Sequence, residues 1–513
     1  MSPDSANYID CAVNLSRGLG FQSALHRYFR PLPAEDYVRE ITSETGLERR
    51  PETYFPPLYP ALLAFLIKTG FSAETAAAWL AIVCFALNIF TVGYLVFRFS
   101  RGSPLPAVGA ALFMLGSESM LFVHTSAITE PLFILLCLAG LAILSAYLER
   151  GRLGFLLAGA AVCGLAFLTR YIGSALIGTG FIGLCMFSRK PFLKRLPAAM
   201  IFLVLSLLPV AIFFPGNSLT IERSPLPPKV FSIAKASDLP AIRSTLSSWA
   251  FPGSGRIELF SGQNALLSSA VAVVLLSIMA GAIVSARRDR KTLPAGGILS
   301  GTPLFFALFV PVYLAGFLFA EVSVHGLLVL DMRLLSPLFA PLLVTTAYVL
   351  RGWLGSLSNN GIRRVASTVL AAYALVYTGC GIYWMSVCHR NGRGYNNRNF
   401  QATEVVQALE TLPALGAVPV FTNDCGAIYF QAGRYAYQFP CERGIRNPAV
   451  LEKAIGIASA CFVYYWTPAH LEALEKLTEG SRDRFEKGLI EALGLRILAK
   501  SRMITVLWRP ARS

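Results

Sequence analysis

Hydrophobic and polar residues alternate along this chain by whole segments rather than by single positions. Residues 1–55 are polar and hold no apolar run long enough to cross a bilayer. Apolar stretches then recur near 73–97, 105–122, 131–148, 154–170, 171–187, 198–214, 265–286, 301–320, 334–350 and 365–387. A span needs about 20 predominantly apolar residues, so the pattern predicts about ten transmembrane helices. Ahead of them, 55–70 has a short apolar core flanked by Pro and aromatic residues, which predicts a helix lying in the membrane interface. From about 389 the texture changes. Helices are predicted over 405–412, 449–459, 468–477 and 482–493, a turn and helix over 423–434, and strands over 418–422, 461–466 and 497–507. Such alternation predicts a small α/β domain. At the other end, Pro3 suits a helix start that sets Asp4 and Tyr8 on one face, and Gly18 and Gly20 permit a sharp exit.

Composition strengthens the membrane reading. The chain is 55% hydrophobic and 14% charged, with a mean hydropathy of +0.56, whereas a soluble protein carries roughly 25% charged residues. The net charge of +16 raises the question of nucleic acid. A nucleic-acid binder gathers its basic residues on one face or motif; here they form short clusters between apolar runs, so no nucleic acid is expected. One set of loops holds Arg98 and Arg101, Arg150 and Arg152, Arg189 to Arg195, Arg287 to Lys291, and Arg351, Arg363 and Arg364. The alternate short turns hold only Arg170 and Arg333. The first set is therefore cytoplasmic. With ten spans, residues 1–72 and 388–513 then face outward, as expected for a multi-pass protein of the cell inner (plasma) membrane with a periplasmic C-terminal domain. The expected division is an outer loop over 1–55, the interface helix and spans over 56–388, and an α/β domain over 389–513. An exported polar segment normally follows a signal or first span, so a start upstream of Met1 is expected. Cys84, Cys137, Cys163 and Cys185 fall inside apolar runs and read as small buried side chains, while Cys425 and Cys441 stand in the polar tail, where export would allow a disulfide.

The spans hold almost no ionisable residues near their centres, which disfavours an ion-coupled pathway. The unusual polar residues instead collect at the predicted outer ends of helices: Asp4 and Tyr8, Glu52 and Tyr54, His124 and Glu130, Arg170 and Tyr171, and Glu321, His325, Asp331 and Arg333. Such a set suits a reaction on a lipid phosphate. A carboxylate can take the proton of an attacking hydroxyl, and a guanidinium can bind two oxygens of the phosphate on which charge grows.

These residues carry a resemblance. The pattern Asp4-Ser-Ala-Asn-Tyr8, followed by Ala12-Val-Asn-Leu15 and Gly18-Leu-Gly-Phe21, resembles the first outer loop of C-type (GT-C) glycosyltransferases, nearest to bacterial protein O-mannosyltransferases and lipid A aminoarabinose transferases. Pro56-Pro-Leu-Tyr-Pro60, Thr129-Glu-Pro-Leu-Phe133, Leu168-Thr-Arg-Tyr171 and Asp331-Met-Arg333 with Pro337 resemble later motifs of that family. The tail, with Phe421-Thr-Asn-Asp424, Ala427-Ile-Tyr-Phe430 and Gly433-Arg434, resembles the domain that often ends these enzymes. The resemblance implies a mainly α, polytopic GT-C-like helical bundle with a small C-terminal α/β extracytoplasmic domain. It implies inverting transfer of a sugar from a polyprenyl-phosphate-linked donor to a glycan, lipid or protein acceptor at the outer face. Asp4 matches the loop aspartate and becomes the acceptor-activating base, or else a helix cap. Arg170 and Arg333 become candidates for the lipid phosphate, or else snorkelling anchors. Glu130 orients substrate or caps its helix. Tyr8, Tyr171 and Asp331 complete the candidate substrate contacts, with interface packing the alternative for Tyr8, and His325 reads as structural. Two features depart from the family. Phe55 stands where the aminoarabinose branch has a basic residue, and Ser5 follows Asp4 where many relatives have a second acid. The chain has no DxD, so neither a metal nor another cofactor is expected. The main rival is a transporter or flippase of lipid-linked saccharides, which would show inverted repeats and midplane polar residues.

Overall fold

The computed structural model describes residues 3–25, 50–52, 55–187, 191–218, 239–252, 303–324, 332–392, 420–433, 435–438, 460–465, 482–500 and 504–509. In chain order the elements are α1 (Pro3–Ser16), β1 (Gln22–Ser23), β2 (Arg50–Pro51), α2 (Leu58–Lys68), α3 (Ala73–Phe99), α4 (Pro104–Gly116) and α5 (Glu118–His124). Next come α6 (Glu130–Arg150), α7 (Leu153–Thr169), a 3-10 turn (Tyr171–Gly173), α8 (Ser174–Phe187), α9 (Phe192–Ser218) and α10 (Leu239–Ala250). They are followed by α11 (Leu304–Val324), α12 (Met332–Ser356) and α13 (Asn360–Asn391). The tail holds β3 (Val420–Thr422), α14 (Cys425–Ala432), β4 (Tyr437–Gln438), β5 (Ala460–Tyr465), α15 (Arg482–Leu493), β6 (Arg496–Lys500) and β7 (Ile504–Arg509). The chain divides into two compact units, one of residues 1–54, 60–74 and 388–513, the other of 55–59 and 75–387.

The second unit is an apolar helical bundle, and the chain is a membrane protein. Every predicted span is helical except 265–286, which lies outside the described residues. Five helices are long and apolar enough to cross a bilayer, or six if α4 and α5, bent by 60° at Ser117, form one broken span. The interface segment is the 11-residue α2, while α7 and the Tyr171–Phe187 segment are apolar but short. Their break falls at Arg170, whose backbone is extended. Between membrane helices water provides no driving force, so close packing through small residues supplies the contact. A Cβ added to Gly381 of α13 would collide with the Gly116 carbonyl oxygen at the end of α4. Beside them the Thr378 hydroxyl donates to the Leu112 carbonyl at 3.0 Å. Gly180 and Gly183 of α8 admit the rings of Phe202 and Phe305 in the same way. The lipid-facing sides of α3, α9 and α13 remain apolar, as Phe90, Ile212 and Val376 show.

The first unit is a five-stranded sheet in the order β4-β3-β5-β7-β6, with α1 packed on α14. Strands β4, β3 and β5 are parallel, while β7 runs antiparallel to both β5 and β6. The continuous apolar run of β5 suits a central strand covered on both faces. Asp424 caps α14 by accepting from the Ala427 N–H at 3.1 Å, and Gly433 ends it at φ 61°. The sequence expectation of a single last strand over 497–507 is corrected: the chain forms two antiparallel strands there, β6 and β7. Period-two alternation is the same along both arms of such a pair, and no Gly or Pro punctuates 501–503. The predicted helices 405–412, 449–459 and 468–477 lie outside the described residues.

Candidate functional site

In the bundle, three helix ends bring three of the expected residues together. Glu130 is the first residue of α6, Arg170 follows the last residue of α7, and Arg333 is the second residue of α12. Glu130 Oε1 forms ion pairs with both arginines, with Arg333 Nε at 2.7 Å and with Arg170 Nη1. The same Arg170 Nη1 donates to Thr129 Oγ1 at 3.1 Å. Local structure explains each placement. A carboxylate is favourable at the positive N-terminus of α6, and a guanidinium is favourable at the negative C-terminus of α7. Arg333 is the exception, since a cation opposes the dipole at the start of α12, and the Glu130 carboxylate offsets that. The Tyr313 hydroxyl donates to the Leu334 carbonyl at 2.8 Å and ties the start of α12 to α11.

Burial sharpens the picture. The Glu130 side chain is 1% exposed, Arg170 12% and Arg333 25%. A buried carboxylate costs far more than a surface one unless it is paired. Here it holds two guanidiniums at a fixed spacing, with the Arg333 side chain reaching the surface of the bundle. Each guanidinium carries five donors in a planar fork that matches phosphate geometry. Thr129 occupies the N-cap position of α6, with no side-chain cap hydrogen bond, and Glu130 is the first helical residue after it. Sequence reasoning passed over Thr129, although it begins the Thr129-Glu-Pro motif. Tyr171 sits in the 3-10 turn beside Arg170 and packs its ring against Phe167, 5.8 Å between centroids. His124 is buried within the bundle. Its Nδ1–H donates to the Met120 carbonyl at 2.7 Å and its Nε2 accepts from Asn88 at 3.0 Å, an arrangement that makes it a neutral, structural imidazole. Asp331 and His325 lie outside the described residues.

Asp4 and Tyr8 belong to the first unit. Both are on α1, Asp4 in its first turn and half-buried, Tyr8 buried. The acid that α1 buries completely is a different one, Asp10. Its Oδ2 accepts from the Ser23 hydroxyl at 2.8 Å and the Ala24 N–H at 3.0 Å. Its Oδ1 accepts from the Tyr435 hydroxyl at 2.6 Å and from Asn14 Nδ2 at 3.3 Å. Asn7, Asp10 and Asn14 form a buried polar stripe at helical spacing, the signal that sequence reasoning missed. Nearby, burial together with the charges of Glu52 and Asp10 pushes the Cys11 thiol well above its ordinary range, which makes it unreactive. The Cys425 thiol donates to the Ala436 carbonyl at 3.3 Å; Cys441, the other half of the expected disulfide, lies outside the described residues.

No protein-family model and no curated protein sequence matches the chain. Among solved structures, it is similar to ArnT from Cupriavidus metallidurans in the apo state, with a TM-score of 0.51 and 14% identity over 98% of this chain and 93% of that one. The crystal structure of ArnT from the same organism bound to undecaprenyl phosphate matches with a TM-score of 0.48 and 14% identity over 97% of both chains. At this identity the likeness is one of fold. The fold of this chain is similar to that of ArnT.

Proposed function

We propose that this protein is a membrane glycosyltransferase of GT-C type that moves a sugar from a polyprenyl-phosphate donor to a glycan, lipid or protein acceptor. The observation that carries the reading is the Glu130 carboxylate holding the Arg170 and Arg333 guanidiniums where three helix ends meet, in a chain of ArnT-like fold. Two fixed guanidiniums suit a phosphate leaving group. As the bond from the anomeric carbon to the phosphate oxygen breaks, its electron pair passes to that oxygen, and Arg170 and Arg333 stabilise the charge that develops. The acceptor hydroxyl attacks the opposite face of the sugar, so the configuration inverts, and its proton goes to a carboxylate, for which Asp4 is the candidate. Tyr8, Tyr171 and Asp331 are proposed substrate contacts. The reading invokes no metal or cofactor. The arginine-rich loops support an orientation in which this chemistry occurs on the outer face of the inner membrane, with 389–513 on the same side.

The test is direct. The purified protein in detergent, supplied with polyprenyl-phosphate sugars and envelope extracts, should release free polyprenyl phosphate and a glycosylated product. Deletion of the gene should remove one glycan from the cell envelope by mass spectrometry. A deletion strain with unchanged glycans, together with no product in detergent, would reject the reading.

A further inference from the structure

The bundle carries a second cationic site, at the opposite end of α12 from Arg333. Arg333 and Arg351 are eighteen residues apart on that helix, roughly 27 Å at the helical rise. From the Arg351 end, a groove of about 1380 Å³ runs between α4, α12 and α13 toward Trp249 and Phe339. Its walls are apolar for most of its length, with Leu105, Leu112, Leu343 and Ala371 among them. Its basic residues are Arg101, Arg351, Arg363 and Arg364. They come from three separate places: the turn between α3 and α4, the end of α12 and the start of α13.

Interface arginines usually splay outward, each with its own water or headgroup. These four line a single groove, and among the described residues none of them is ion-paired with a carboxylate. Arg101 is also the one non-glycine residue with positive φ among the described residues, at 54°. That backbone conformation is rare outside glycine. Arg101 and Arg351 line the same groove, so like charges gather there and repel one another. An anion among them removes that repulsion, while an apolar chain attached to it would fill the walls behind. A basic pocket between membrane helices is the ordinary setting for a phosphate headgroup.

We infer that this groove is a binding site for one anionic phospholipid of the bilayer, its phosphate held by Arg101, Arg351, Arg363 and Arg364 and its acyl chain lying toward Trp249 and Phe339. The site faces the leaflet that the loop charges assign to the cytoplasm, and it does not depend on the transferase reading. Native mass spectrometry of the full-length protein, titrated with phosphatidylglycerol or phosphatidylcholine, tests it. One phosphatidylglycerol should be retained in preference to phosphatidylcholine. The triple variant Arg351→Gln, Arg363→Gln, Arg364→Gln should weaken that binding by roughly tenfold or more. Gly109→Phe, at a groove position with open space around it, should also expel the lipid while leaving the arginines in place. Arg150→Gln, an exposed arginine that lies over Phe155 and outside the groove, should change nothing. Equal retention of phosphatidylcholine, unchanged binding in Gly109→Phe, or a loss in Arg150→Gln as large as in the triple variant would overturn the inference. So would displacement of phosphatidylglycerol by equimolar polyprenyl phosphate, which would assign the groove to a prenyl chain.

Discussion

Asp10 and Tyr435 are 425 residues apart in sequence, and the Tyr435 hydroxyl donates to Asp10 Oδ1 at 2.6 Å. The bond joins α1 to the segment between α14 and β4, beside a small core of Ala6, Leu25 and Cys425. The N-terminal helix is thereby part of the same folded unit as the C-terminal sheet. A hydrogen bond to a charged group contributes about 1.5–3 kcal/mol, so Tyr435→Phe should lower stability by that order. Asp10→Ala should cost more, since it also strands the Ser23 hydroxyl and the Ala24 N–H. Thermal unfolding of the purified variants measures both. Equal losses would mean that Asp10 holds nothing beyond Tyr435.

Breaking a buried ion pair by removing one partner costs about 3–5 kcal/mol. Glu130→Ala leaves two guanidiniums facing each other and should lose that order of stability, which unfolding in detergent would read. Arg333→Ala is the more informative variant for function. It should lower kcat/KM for the donor by roughly 10²–10³, the range for removal of one charge-stabilising donor. Unchanged kinetics would remove Arg333 from the phosphate site.

Asp4 lies in the first turn of α1 and is half-buried, so Asp4→Asn should leave the fold intact. Loss of a general base typically lowers rate by about 10²–10⁴. Transfer should fall by that factor, with the same melting temperature and the same donor binding. Retained activity would assign the base elsewhere.

At the contact of α4 and α13 there is no room for a side chain. Gly381→Val would drive a branched carbon into the Gly116 carbonyl. Overpacking of this kind costs typically 1–3 kcal/mol or more, and the rigid backbone on the facing side places this site at the upper end. Gly379, two residues away with open space around it, should accept Ala with little change. A melting comparison of the two variants checks this.

The sheet unit should be acid-sensitive through Glu486. Burial pushes its carboxyl up, but hydrogen bonds from Lys500 (2.6 Å), Thr505 (2.6 Å) and Arg482 (2.7 Å) outweigh burial and hold it below the usual range. A depressed carboxyl stabilises the fold above its unfolded value, about 4.3. That stabilisation is lost as pH falls through the folded value. Glu486→Gln should therefore be less stable than the parent at pH 7, and the gap should close below about pH 4. A gap that is constant with pH would exclude the ionised pair as its cause.

The membrane character of this chain, its helices and the α/β texture of its tail were legible in order of sequence, because apolar periodicity and helix-breaking residues act over neighbours a few positions apart. The resemblance motifs pointed to Glu130, Arg170 and Arg333 for a related reason, since charged residues beside apolar runs are rare enough to stand out. Nothing local, however, said that one glutamate would serve both arginines. That pairing depends on where α6, α7 and α12 end in space, and long-range packing, down to glycines that let backbones touch, sets those ends. The same holds for Asp10 and Tyr435. Each looks ordinary among its neighbours, and folding alone makes one the hydrogen-bond partner of the other. The strands β6 and β7 show the limit at short range too, since alternation is blind to whether a strand runs on or turns back. Pattern assigns each segment its kind, but burial and charge pairing across distant segments choose the partners.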